Sequence, residues 1–170
     1  MGSKISAIAL AMALSLGCWL GWVQPTWASV HTYPEGAGAV MVRSLQTLRD
    51  DRDQAWQLVL FNRSQHGAIE SVHLRLVGFP GKVIVQHPDP LRISSSTAAW
   101  TAPDCTAEVP LLPLSTGEYD VQPAIAALPN NSPLQITLAT TGGDRTLKIP
   151  PYAVREWREV AQMLPNSDAS

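Results

Sequence analysis

Apolar and polar residues alternate over short stretches through most of this chain, and only near its end do apolar residues recur at helical spacing. Period two sends successive side chains to opposite faces of a strand, whereas spacings of three and four line one face of a helix. Residues 40–48 read as a strand, which the polar tip Asp50-Asp51-Arg52-Asp53 returns into residues 55–62. There Trp56, Leu58 and Leu60 share one face while Val59 and Phe61 occupy the other, which predicts a central strand covered on both sides. Across residues 71–77, Val72, Leu74 and Leu76 alternate with His73 and Arg75, the pattern of a strand with one wet face.

Turn chemistry divides the middle of the chain. Pro80-Gly81, between Phe79 and Lys82, supplies a fixed φ and then a positive one, as a type II turn requires, and reverses the chain into a strand at 83–86. A second turn at His87-Pro88-Asp89-Pro90 leads to a strand at 91–95, and residues 96–113 carry little periodicity. A short strand at 118–121 precedes one or two helical turns at 123–128, opened by Pro123 and stopped before Pro129.

The last third is the most regular. Leu134, Ile136 and Leu138 alternate with polar residues, Gly142-Gly143 supplies a hairpin turn, and Leu147 and Ile149 continue the inward face. Pro151 opens the one substantial helix, 152–164, with Ala153, Trp157, Val160 and Leu164 on one stripe and Arg155, Glu156, Arg158, Glu159 and Gln162 opposite. The polar side carries as many acids as bases, so the stripe is expected to dock on a sheet rather than lie on a membrane. The predicted fold is mainly β: an antiparallel β-sandwich with one C-terminal amphipathic helix, a small β-barrel being the alternative.

Residues 1–28 depart from this pattern. Lys4 leads into a nearly unbroken apolar run, followed by Gln24-Pro25 and the small residues Thr26 and Ala28, the order of a secretory signal peptide cleaved after Ala28. Residues 29–170 then form a single β-rich domain, exported across the cytoplasmic or thylakoid membrane to the periplasm or thylakoid lumen. Other readings attach the chain to the membrane: the apolar run is long enough for an uncleaved anchor, and Cys18 sits in a partial lipoprotein box. Met1-Gly2 with Ser6 fits the short myristoylation pattern.

Removing the leader changes the composition that matters. Of 12 Lys plus Arg only Lys4 leaves, so 11 remain against 14 Asp plus Glu, a formal charge of −3. With no basic stripe to offset a phosphate backbone, nucleic acid is not an expected partner. Cys18 leaves as well, and Cys105, left alone, is either buried or free to pair between chains.

The stretches 43–50, Ala55-Trp56-Gln57 with Leu60-Phe61, 74–81, Gly117-Glu118-Tyr119-Asp120 and Pro150-Pro151 with Glu156-Trp157 resemble a cyanobacterial family of exported proteins catalogued as a domain of unknown function. The resemblance covers nearly the whole mature chain. It implies a cyanobacterial source and an exported location, and carries no catalytic or binding residues with it.

Candidate chemistry is sparse, and no cofactor is expected. Strand parity puts His73 and Arg75 on one face, where together they could bind an anion or carboxylate. Cys105, with four histidines elsewhere, allows a Cys–His nucleophile, though no local signature surrounds it. No serine sits in a Gly-x-Ser-x-Gly elbow. The acids at 50, 51 and 53 could approach a calcium ion but lack the Gly and distal Glu of a twelve-residue loop, and His87 reads as a surface turn residue. Cleavage after Ala28 would create the terminus Ser29-Val30-His31, whose amine, two amides and imidazole can surround copper(II) or nickel(II) with four nitrogens.

Three function classes follow: an exported protein-interaction module, with a membrane or photosynthetic complex as its candidate partner; a carrier of a small apolar ligand in a barrel-like cavity; and a hydrolase using Cys105 with a histidine. The first needs no motif and leads. Membrane attachment enters only through an uncleaved leader.

Overall fold

The computed structural model describes residues 31–36, 39–128 and 130–164. Nine strands occur among them: β1 (His31–Gly36), β2 (Ala39–Arg49), β3 (Ala55–Gln65), β4 (Ala68–Gly78), β5 (Leu91–Ser94), β6 (Ala99–Ala102), β7 (Thr116–Asp120), β8 (Leu134–Leu138) and β9 (Arg145–Ile149). Helix α1 (Gln122–Ala126) follows β7, and α2 (Pro151–Val160) follows β9.

The strands build a five-stranded sheet in the order β1-β2-β3-β4-β7 and a four-stranded sheet in the order β6-β5-β8-β9, with every pairing antiparallel. Neither sheet closes on itself, so the architecture is the sandwich and not the barrel. Alternation decides which face is covered. Trp56, Leu58 and Leu60 of β3 and Leu74 and Leu76 of β4 share one core with Leu91, Ile136, Leu138, Leu147 and Ile149 of the second sheet. Fully burying each such side chain contributes about 1.5–3 kcal/mol, which is why the two alternating faces are driven together.

Helix α2 lies against β2 and β3. Its stripe buries Ala153, Val154, Trp157 and Val160. The helix stops at Val160, short of the predicted 164, and Leu164 is exposed. Asn62, buried in β3, explains the stop: its Nδ2 donates to the carbonyls of Val160 at 2.6 Å and Met163 at 2.8 Å, binding acceptors that a helix end leaves free. Gln46 of β2 reaches the same helix through Glu156 Oε2 at 3.1 Å.

Other expectations are corrected. Residues 83–86 form no strand; Val85 makes an isolated bridge to Thr140 and donates its N–H to the Leu114 carbonyl. The stretch 96–113 contains β6 and a 3-10 turn at Thr106–Glu108. His66 (φ 51) and Gly67 (φ 77) make a tight hairpin turn that lets β3 run on to Gln65 and β4 begin at Ala68, longer than the predicted 55–62 and 71–77. The type II turn at Pro80-Gly81 is present, with Gly81 at φ 77 and the Lys82 N–H donating to the Phe79 carbonyl at 3.0 Å.

Candidate functional site

His73 and Arg75 project from the outer face of β4, opposite the core residues Leu74 and Leu76, as their parity predicts. Register supplies their partner. Arg75 pairs directly with Glu118 of β7, and His73 with Asp120, so the Glu118 side chain rises between them. The Arg75 Nε donates to Glu118 Oε2 at 2.8 Å, and His73 Nδ1 meets Oε1 at 2.9 Å. The carboxylate that these two residues hold is therefore the protein's own. Glu118 is fully buried. Burial pushes its carboxyl up, but the hydrogen bonds and charges of His73 and Arg75 outweigh that and keep it below the ordinary value.

Two features fix Glu118 in place. Gly117 lets the Tyr119 ring fold over the strand, since a Cβ there would stand 2.6 Å from the phenol oxygen. Residues 103–106 then run along the outer edge of β7: Cys105 N–H donates to the Glu118 carbonyl at 2.9 Å, Asp120 N–H to that of Pro103 at 3.0 Å, and Glu118 N–H to Thr106 Oγ1 at 2.8 Å. This edge pairing carries Cys105 over the pair, with Sγ 3.9 Å from His73 Nδ1. Phe61 closes the neighbouring side, its ring centroid 5.6 Å from that of His73 and 5.5 Å from the Arg75 guanidinium carbon.

A histidine thus stands within reach of Cys105, as a nucleophilic pair needs, but the arrangement does not activate the thiol. Sulfur and Glu118 approach the same nitrogen, Nδ1, whereas a triad divides nucleophile and orienting acid between the two ring nitrogens. Burial first, then the negative charges of Glu118, Glu108, Asp104 and Asp120, push the Cys105 thiol up from its ordinary 9.0 to about 12. A thiol held protonated and buried is a poor nucleophile.

His87 is not simply a surface residue. Its Nδ1 meets Asp104 Oδ2 at 2.6 Å and its Nε2 the Thr116 carbonyl at 3.2 Å, tying the 87–90 turn to the segment that carries Cys105. Asp50 is likewise turned inward rather than toward an ion. Its carboxylate accepts from the Trp56 indole at 3.0 Å and from the backbone N–H groups of Arg52 and Gln54 at 2.9 and 2.8 Å. Ser29 and Val30 lie outside the described residues, and His31 begins β1 in register with Arg43.

The interior between the sheets holds a void of about 10 Å³, lined by Leu74, Ile93, Val121, Ile125, Leu134 and Trp157, room for one water and not for a ligand. Apolar surface collects elsewhere. Leu111 is fully exposed, Leu114 71 % and Phe79 64 %. These loops are joined by backbone hydrogen bonds, Gly78 N–H to the Ser115 carbonyl and Val85 N–H to that of Leu114, both at 2.8 Å.

Among known proteins, one family model, described as "Protein of unknown function (DUF3122)", matches residues 28–160. No curated protein and no solved structure matches the chain.

Proposed function

The chain belongs to this family of unknown function, and from its own surface we propose that it is an exported interaction module whose docking face is the apolar loop 109–114. The carrying observation is Leu111, fully exposed and held at φ 62 in the run Val109-Pro110-Leu111-Leu112-Pro113-Leu114. A left-handed leucine costs about 1–2 kcal/mol, and its side chain gains nothing from burial here. Two prolines restrict the loop, so a partner that accepts the leucines has less chain entropy to remove. Phe79 and Ile84 are also exposed, in the loop that the Leu114 and Ser115 carbonyls join to this one, and exposed apolar surface of this kind marks interaction sites on single chains.

The partner is a protein with an apolar pocket rather than a lipid surface. Membrane-surface elements carry clusters of Lys and Arg, whereas the 3-10 turn leading into this loop ends in Glu108 and the domain is formally acidic. Export is supported by the charged, apolar and small-residue order of residues 1–28, and the matched region begins at residue 28. Periplasm or thylakoid lumen is the proposed compartment.

A photocrosslinking residue at position 111, followed by isolation of membranes and soluble fractions, should give one discrete protein adduct. The adduct should disappear with Leu114→Glu, which leaves melting unchanged because the side chain is exposed, and should not form from a probe at the distant exposed position 155. Equal adducts from both positions, crosslinks to lipid alone, or dimers of this chain alone would each overturn the reading.

A further inference from the structure

We infer that His73, Cys105 and Glu118 form a binding site for a single divalent transition ion of the zinc type. Their donor atoms, a ring nitrogen, a sulfur and a carboxylate oxygen, all lie within 4.8 Å of one another. They come from β4, from the edge segment before the 3-10 turn, and from β7, so the fold and not local sequence assembles them. Zinc bound to nitrogen and oxygen at about 2.0–2.2 Å and to sulfur at about 2.3 Å holds its donors roughly 3.5 Å apart. The Nδ1 to Sγ distance of 3.9 Å and the Nδ1 to Oε1 distance of 2.9 Å bracket that spacing, so small side-chain adjustments admit the ion.

The surroundings suit a ligated carboxylate. Arg75 holds Glu118 Oε2 from one side and leaves Oε1 directed at His73, the way outer hydrogen bonds orient metal-binding carboxylates. A mixed nitrogen, sulfur and oxygen set matches the borderline softness of zinc and is poorly suited to magnesium or calcium, which take oxygen. Binding replaces the thiol proton of Cys105, so thiolate and carboxylate together balance the charge of the ion. Three protein donors leave a fourth position open to water, on the side where His73 keeps a partly exposed edge. The site stands on the outer face of the first sheet and does not rest on the docking loop.

The test uses the purified, reduced chain, freed of metal by chelation and titrated with zinc alone and with cobalt(II) alone. One equivalent of zinc should bind in competition with a chromogenic chelator. Cobalt should produce a thiolate-to-metal charge-transfer band that Cys105→Ala abolishes while near-ultraviolet circular dichroism stays native. Arg75→Gln should weaken zinc binding by about 10–100-fold without removing the band. X-ray absorption of the zinc-loaded wild-type chain needs no variant and should show one sulfur at about 2.3 Å. A shell of nitrogen and oxygen only, the signature of the N-terminal amine and His31 instead, would overturn the assignment. So would no binding at all, which would leave the cluster as a buried ion pair.

Discussion

Asp50 concentrates three hydrogen bonds and a guanidinium on one carboxylate at the end of β2, with Arg145 Nε at 3.9 Å. Burial pushes its pKa up, but the Trp56 indole, the two backbone N–H groups and Arg145 together pull it below the ordinary 3.8. A carboxyl depressed in the folded state binds fewer protons there than in the unfolded chain, so its contribution is complete above 3.8 and fades as the pH falls below that value. Asp50→Asn should therefore lose about 1–3 kcal/mol at neutral pH, by setting an amide against donors, and should flatten the acid limb of the stability profile. Urea melts from about pH 7 down to about pH 3 would test this; an unchanged acid limb would assign acid sensitivity to other carboxylates. Residue roles of this kind were partly legible. Parity placed His73 and Arg75 on one face, but Glu118 lies 43 positions from Arg75 and became its partner only through strand register. No pattern inside residues 96–113 announced that Cys105 would arrive beside them.

At the scale of elements, the docked helix is the clearest case. Trp157 is buried in the shared core, lining a void with Leu74, Ile93, Val121 and Leu134, and its indole Nε1 has no hydrogen-bond partner among the described residues. Trp157→Ala should cost about 3–5 kcal/mol in denaturant melts, whereas Trp157→Phe, which removes the orphaned donor while keeping an aromatic ring, should cost far less. Equal losses would mean that indole shape, not buried area, holds the helix. The stripe itself was legible because its spacing is local. Its end was not, since Asn62 of β3 and not a capping residue within the helix closes it at Val160. The same division explains the strand at 83–86 that the turn at Pro80-Gly81 suggested: its backbone meets Leu114, Ala139 and Thr141 through scattered hydrogen bonds, and without a continuous ladder the stretch stays a loop.

For the whole molecule, the proposed export sets a chemical state as well as a location. Cleavage after Ala28 predicts a first residue of Ser29 by mass spectrometry of the purified protein. That terminus should give a visible copper(II) band that His31→Ala removes, and a band surviving the substitution would place the copper elsewhere. The amino-acid sequence by itself determined the mainly β class, the alternating faces, the amphipathic helix and the type II turn, because each depends on residues within a few positions of one another. Only the tertiary structure decided between sandwich and barrel, packed the shared core around a void of about 10 Å³ beside Trp157, and brought His73, Arg75, Cys105 and Glu118 into one cluster. Those outcomes rest on strand order and register. Both are settled by how two sheets and a helix bury one shared core, a competition among distant contacts that periodicity does not encode.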